Sequence, residues 1–170
     1  KYNVGYEWSY SANSVFDLAN AVNSPSSLVS LLDHHRSFAD IIEFSNNEFY
    51  EGKLRIATDY GRLKLPPNEA AGIRWIDVKG KVLKPTNGGA YNNFEINRII
   101  EELNRLVIKN DYQGTIGVVT PFRSQADKIR DAIEKVPALK NQLYTKNDFL
   151  VDTVHKFQEK KKDIIIFSSV

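Results

Sequence analysis

The sequence predicts an α/β domain with a mostly parallel sheet that helices flank. Short, β-branched apolar runs bounded by turn residues alternate with segments of helical periodicity, and this order generates parallel strands. The run at residues 164–167 is apolar at every position, which is typical of a strand that helices cover on both faces. A length of 170 residues suits one domain with one core.

Each predicted element rests on its own pattern. The predicted strands lie at residues 27–32, 74–78, 115–120, 149–154 and 163–168. The predicted helices lie at residues 15–22, 38–49, 94–110 and 124–135. The last of these helices stops before Pro137, and Asn92 with Glu95 gives the third a capping-box-like start. Segments 58–71 and 82–93, rich in Gly, Pro and Asn, are predicted surface loops.

Composition restricts the possible functions. With no cysteine and three histidines, the sequence predicts no disulfide and no metal-binding residue set, and it is compatible with a reducing cytoplasm. A net charge of +2 means that nucleic-acid binding would depend on local placement of Lys and Arg. No stretch approaches the roughly 20 apolar residues of a membrane span, so we expect no membrane partner.

The first segment with chemical potential is Asp33-His34-His35-Arg36-Ser37, where a predicted strand turns into a predicted helix. A guanidinium fixed at such a turn presents a rigid fork of donors to the charge that develops on a γ-phosphate. Arg36 is therefore a candidate arginine finger. Alternatively, His34 and His35 satisfy the turn and Arg36 pairs with a nearby carboxylate.

The second segment is Thr120-Pro121-Phe122-Arg123, between a predicted strand and a helix. Ligands bind at the carboxyl edge of α/β sheets, and helix amides just beyond a strand can accept a phosphate. Thr120 and Arg123 are candidates to hold a nucleic-acid backbone, and Phe122 to stack on a base. Alternatively, Thr120 and Ser124 are ordinary caps, Pro121 is a first-turn residue and Phe122 belongs to the core.

The third segment runs from Val151 to Gln158 and reads Val-Asp-Thr-Val-His-Lys-Phe-Gln. Thr153, His155 and Lys156 supply a hydroxyl, an imidazole and a cation, which suit phosphate or sugar contacts. An isolated His155 would instead be an ordinary solvent-facing loop residue.

Together the three segments resemble motifs of superfamily-1 DNA/RNA helicases, most closely the branch that includes the nonsense-mediated-decay helicase. The octapeptide 151–158 matches the family's motif V almost word for word. The resemblance implies a RecA-like fold and identifies residues 1–170 as a second, C-terminal motor domain, with 1–26 as a lead-in. Because the chain starts at Lys1 and ends just after the last strand, we expect a fragment of a longer protein.

The resemblance also implies ligands and roles. ATP with Mg²⁺ would lie between this domain and an upstream RecA-like domain, with Gln158 and Glu159 near the nucleotide and His35 against the adenine, where the family usually has Tyr. The nucleic-acid side would comprise Thr120, Pro121, Phe122, Arg123, Thr153, His155 and Lys156, in contact with single-stranded DNA or RNA. The chain contains no G-x-x-x-x-G-K-[ST], so the upstream domain would supply the phosphate loop, and the isolated fragment would not hydrolyse ATP.

The loop after Gln158 departs from the family. The usual Gly-x-Glu-x-Asp is replaced by Glu159-Lys160-Lys161-Lys162-Asp163, which puts Lys161 at the Glu position. Either the loop is altered, with Glu159 serving as the carboxylate in a shifted register, or the domain is a degenerate, non-catalytic module that binds nucleic acid or a protein. For Lys160 and Lys162, a solvated turn is the expectation.

Overall fold

The computed structural model describes residues 5–9, 11–24, 27–86, 89–157 and 160–170. Over these residues the helices are α1 (Val15–Val22), α2 (Ala39–Tyr50), α3 (Asn93–Leu103), α4 (Arg123–Glu134) and α5 (Pro137–Lys146). The strands are β1 (Asp33–His34), β2 (Arg55–Ile56), β3 (Ile116–Thr120), β4 (Leu150–Thr153) and β5 (Ile164–Phe167). In this part of the chain, no helix has the length and apolarity needed to cross a membrane.

The strands form two parallel sheets, which confirms the predicted fold class. β1 pairs with β2, and β3 lies between β4 and β5 in a three-stranded sheet. Val118 of β3 is opposite Val151 of β4 on one side and Ile166 of β5 on the other. β3 is buried along its whole length. α3 and α4 flank β3 in the sequence and α5 precedes β4, whereas a short 3-10 turn, Val154–Phe157, precedes β5.

The core lies between the three-stranded sheet and helices α3, α4 and α5. Apolar residues at helical spacing face inward, and they include Ile96, Ile99, Leu103, Ala126, Ile129, Ile133, Leu139 and Leu143. α3 continues into a π-helical segment, Asn104–Lys109, so the helix predicted at residues 94–110 is confirmed in extent. The burial of this stripe is the main favourable contribution to folding of the C-terminal half.

Helix α5 was not predicted. Pro137 ends the periodic pattern of α4, but it also stands at the first turn of α5, where a missing N–H costs nothing and the fixed φ suits a helix. Leu139 and Leu143, four residues apart, are fully buried by this helix. The same proline therefore separates two helices.

Two predicted strands in the N-terminal half are wrong. Residues 27–32 are irregular, and β1 begins only at Asp33. Residues 74–78 form no strand, and Trp75 is 85% exposed. Both runs have strand composition but no neighbouring strand in the described chain to complete a ladder, and a strand without a partner leaves its backbone groups unpaired.

The prediction that helices cover β5 on both faces is also wrong for the described residues. Ile165 is 48% exposed and Phe167 is 62% exposed, whereas β3 is buried throughout. β5 lies at the edge of the sheet, and one of its faces is open to solvent. The continuous apolar run therefore predicted more burial than this edge strand has.

A cluster of charges attaches the loop at residues 63–75 to α3. The buried Glu102 carboxylate accepts hydrogen bonds from Arg74 and from Arg105, whose Nη2 lies 2.6 Å from Oε1. Arg105 also reaches Glu69 at 2.5 Å. Burial raises the pKa of Glu102, but the hydrogen bonds and charges of Arg105 and Arg74 outweigh it, so the pKa lies below its usual value. The cluster therefore holds Arg74, the first residue of the segment 74–78, against α3 by ion pairs and not by strand pairing.

The contact between Gly117 of β3 and Phe157 provides a test of this packing. A Cβ added at Gly117 would lie 2.7 Å from Phe157 Cε1 and 3.0 Å from Ile165 Cδ1. Because Phe157 is buried, Gly117→Ala should lower the free energy of unfolding by about 1–3 kcal/mol in urea titrations. The control is Gly61→Ala, whose Cβ would come no closer than 3.3 Å to Asp59 Oδ1. Equal stability of the two variants would contradict this packing.

Candidate nucleic-acid interface and arginine turn

The carboxyl ends of β3, β4 and β5 meet at one edge of the sheet. Thr120, the last residue of β3, is in register with Thr153, the last residue of β4. Ser168 follows β5 and donates its backbone N–H to Val119 O at 2.9 Å. The structure therefore brings two of the predicted motifs together, although more than 30 residues separate them in the sequence.

The Thr120 turn divides into an inward and an outward part. Thr120 is fully buried, and its hydroxyl accepts a hydrogen bond from Phe122 N at 3.3 Å, which fixes the turn before α4. The N-cap of α4 is Phe122 and Ser124 lies inside the helix, so the alternative in which Thr120 and Ser124 are helix caps is wrong. Pro121 and Arg123 are exposed, and Phe122 is half-buried. Arg123 forms no ion pair with any described residue, which leaves its guanidinium available at the start of α4.

Asp152 organises the motif-V segment, a role that sequence reasoning missed. Its Oδ1 accepts from Thr153 N at 2.7 Å, and its Oδ2 lies 3.2 Å from Arg130 Nη2 and 3.5 Å from Lys156 Nζ. Burial raises the pKa of Asp152, but the Thr153 N–H and the cations outweigh it, so the pKa is lowered and the carboxylate stays charged. An aspartate one residue before the threonine was the available signal.

The turn after β4 displays its polar residues outward. Val154–Phe157 forms a 3-10 turn in which Phe157 is buried while His155 and Lys156 are exposed. Lys156 remains near Asp152, and its side chain is 65% exposed. The turn therefore places an imidazole and an ammonium group at the same sheet edge as Arg123.

A buried polar network fixes this edge, and it too was not predicted. Gln125 is fully buried, accepts from Asn92 N at 2.9 Å and donates to Ser168 Oγ at 2.9 Å. Ser168 Oγ donates in turn to Glu95 Oε2 at 2.5 Å, and Val170 N donates to the same oxygen at 3.2 Å. Asn92 caps α3 as predicted, but Glu95 does not complete a capping box because its carboxylate binds these two donors. The network joins the starts of α3 and α4 to the end of β5.

The Arg36 turn follows β1 and is held by hydrogen bonds of its neighbours. His34 Nε2 accepts from Ser37 N at 3.0 Å, and His35 Nδ1 lies 3.0 Å from Ala57 O. Thr58 Oγ1 donates to Ser37 O at 2.8 Å. The two histidines thus satisfy the turn, as the alternative reading expected.

The other part of that alternative, in which Arg36 pairs with a nearby carboxylate, is not observed among the described residues. Arg36 is exposed, and it forms no ion pair with any carboxylate in the described chain. A guanidinium in this state can bind an anion without first breaking an internal contact.

The predicted sites do not all converge. Within the described residues, no hydrogen bond or ion pair links β1, α2 or β2 to the three-stranded sheet, so Arg36 and His35 are not connected to the sheet edge that carries Thr120 and Thr153. The predicted nucleotide-side residues Gln158 and Glu159 lie outside the described residues.

One expectation for the lysine run is wrong. The Lys162 side chain is 5% exposed, and its Nζ lies 2.6 Å from Asp148 Oδ2 and also donates to the Asp148 carbonyl. Burial of an ammonium group requires such a partner. Lys160 and Lys161 are exposed.

The Arg36 turn should depend on pH. Burial, together with the nearby Arg36 and His35, lowers the pKa of His34 below 6.5, which keeps the imidazole neutral and able to accept from Ser37 N. The stabilising contribution is complete above pH 6.5 and is lost as the pH falls through the lower folded pKa. An NMR titration should show a His34 midpoint below 6.5, with the Ser37 amide losing protection from exchange over the same range. A midpoint above 6.5 would contradict this account of the turn.

Comparison with known proteins shows relatives of one kind. Residues 11–170 match a family described as AAA domain. The chain is 27% identical over 154 residues to "Putative helicase mov-10-B.2" of Danio rerio, covering 82% of this chain and 15% of that protein. It is 31% identical over 143 residues to "Helicase sen1" of Schizosaccharomyces pombe, covering 80% and 8%. It is 27% identical over 155 residues to "DNA polymerase alpha-associated DNA helicase A" of Saccharomyces cerevisiae, covering 80% and 22%.

The chain spans less than a quarter of the length of each of these relatives. The family match nevertheless covers almost all of the chain, and it agrees with the parallel α/β architecture and with the motif order of the sequence. The chain therefore belongs to the AAA-domain family of superfamily-1 helicases.

Proposed function

We propose that this chain is the second motor domain of an ATP-dependent superfamily-1 helicase, acting on single-stranded DNA or RNA in the cytoplasm together with an upstream RecA-like domain. The observation that carries the proposal is the alignment of Thr120 with Thr153 at the end of two adjacent parallel strands. This alignment places Arg123, His155 and Lys156 along one sheet edge, where cations and donors can follow a phosphate backbone.

The inward and the outward residues at this edge have different roles. Thr120 fixes the turn through Phe122 N, and Asp152 fixes Thr153 through its backbone N–H. The residues that contact the nucleic-acid strand are then Arg123 and His155, which are exposed, and the exposed part of Phe122. We therefore assign Thr120 and Thr153 a positioning role and the outward residues the direct contacts.

The residues of the Arg36 turn fit the edge of a nucleotide site. Arg36 is exposed, has no carboxylate partner among the described residues and is held in a turn by two histidines and Thr58. ATP bound with Mg²⁺ would supply the phosphoanhydride bond, and the phosphate loop would come from the upstream domain. The part of this chain is to present the Arg36 guanidinium to the γ-phosphate, with the exposed His35 ring near the base.

A degenerate, non-catalytic module is the second candidate. It is favoured by Lys161, an exposed cation at the position where the family has a glutamate. In such a module the sheet edge would still bind a single strand, but no ATP hydrolysis would accompany binding.

Arg36 separates the two candidates. In the complete gene product, with single-stranded nucleic acid present, Arg36→Ala should lower kcat for ATP hydrolysis by about 1,000-fold or more, because an arginine finger stabilises charge that appears in the transition state. Arg62→Ala is the matched control, since Arg62 is also exposed but pairs with Asp59.

Three outcomes are informative. Loss of hydrolysis in Arg36→Ala but not in Arg62→Ala supports the motor function. Hydrolysis that survives Arg36→Ala undiminished rejects the arginine-finger assignment. Strand binding by a wild-type protein that hydrolyses no ATP selects the degenerate module.

A further inference from the structure

A cleft opens beside the Thr120 turn, on a segment that none of the motifs includes. Its volume is about 560 Å³, and its lining includes Lys84, Thr86, Phe122 and Val170. Lys84 and Thr86 lie in the segment at residues 82–86, and Leu83 of this segment is joined to Tyr91 by two backbone hydrogen bonds of 2.8 and 3.0 Å. The segment was predicted only as a surface loop.

We propose that residues 82–86 form a nucleic-acid-binding element and that the cleft takes one nucleotide of a single strand, with its base against Phe122 and its phosphate at Lys84 and Thr86. The inference rests on the proposed function, because it assumes that a single strand lies along the same sheet edge. It extends the interface to a segment more than 30 residues upstream of the Thr120 motif.

Two glycines on either side of residues 82–86 lie close to the candidate interface. A Cβ at Gly80 would lie 2.6 Å from Asn92 Oδ1, the oxygen that caps α3. A Cβ at Gly89, where φ is 83°, would lie 2.5 Å from Ser124 Oγ at the start of α4. A side chain at Gly80 would displace the Asn92 amide that caps α3, and at Gly89 the positive φ also favours glycine. The two walls of the cleft therefore belong to one packed unit.

The electrostatics of the cleft favour a polyanion. Lys79, Lys81 and Lys84 occur within six residues, all are exposed, and none forms an ion pair with a described residue. Arg123, which forms no ion pair with a described residue, follows the lining residue Phe122 directly in the sequence. The nearby Glu95 carboxylate is already bound by Ser168 Oγ and Val170 N, so hydrogen bonds offset part of its charge. Of the three lysines, Lys84 lines the cleft, and an unpaired cation in a groove is the feature that binds a phosphate backbone.

The lining chemistry also matches the two parts of a nucleotide. The half-buried Phe122 presents part of its ring to the cleft, and an aromatic face stacks on any base. Lys84 and Thr86 supply an ammonium and a hydroxyl group, the donors that bind phosphate and sugar oxygens. A cleft with an aromatic ring on one wall and cationic donors on the other fits a nucleotide within a strand.

The test is the binding of fluorescein-labelled 15-nucleotide oligo(U) and oligo(dT) to the complete gene product across a salt series. Lys84→Gln should weaken binding and reduce the slope of log K against log salt by about 0.7, which corresponds to one lost phosphate contact on a single strand. Phe122→Ala should weaken binding about 5-fold or more, and Phe122→Leu is the substitute if the alanine variant does not fold. The control is Lys135→Gln, because Lys135 is exposed at the far end of α4.

The outcomes separate this inference from the proposed function. Weaker binding and a smaller slope for Lys84→Gln, with Lys135→Gln unchanged, support the cleft. If wild type binds and Lys84→Gln matches Lys135→Gln in affinity and slope, the cleft assignment is overturned while the proposed function stands. If wild type binds neither oligonucleotide, both are overturned.

Discussion

The parallel pairing of β3 with β4 and β5 is the constraint on which the candidate interface depends. In a parallel sheet all carboxyl ends emerge at the same edge, so the residues that follow Thr120, Thr153 and Phe167 become neighbours although they are distant in sequence. Gly117 contributes directly, since its missing Cβ leaves room for Phe157 to pack against β3 and fix the turn that displays His155. The sheet, more than any loop, therefore determines the geometry of the interface.

Buried polar contacts then hold the strand ends in one arrangement. Gln125 links Asn92 to Ser168, and Asp152 binds Thr153 N together with Arg130. Breaking a contact of the fully buried Gln125 would leave a buried group unsatisfied, at a cost of about 1–3 kcal/mol. Among the outward residues, Arg123 and His155 form no ion pair with a described residue, whereas Lys156 remains paired with Asp152. Under the proposed function, a stable inner layer with an adaptable outer layer would suit a surface that binds a single strand.

The sequence predicted the strands of the C-terminal half closely and the strands of the N-terminal half poorly, for physical reasons. The two N-terminal helices, predicted at residues 15–22 and 38–49, are confirmed. The apolar patterns of β3, β4 and α3 reflect burial, and burial of apolar side chains stabilises these elements. Residues 27–32 and 74–78 have the same composition, but composition does not reveal whether a partner strand is present. The roles of Gln125 and Lys162 depend on Ser168 and Asp148, which are 43 and 14 residues away, and a single sequence carries no signal for such polar pairs. The placement of the Thr120 and Thr153 motifs was predictable because each lies at the end of a strand of the larger parallel sheet.

The most direct test of the interface is photo-crosslinking of the complete gene product to a 15-nucleotide single strand that carries 4-thiouridine, with the modified peptides identified by mass spectrometry. Because the strand ends of β3 and β4 share one edge, cross-links should appear in both the 120–123 and the 153–156 segments of the same preparation. Helix α5 is not part of this edge and should remain unmodified. Cross-links confined to α5, with both strand-end segments unmodified, would contradict the central claim.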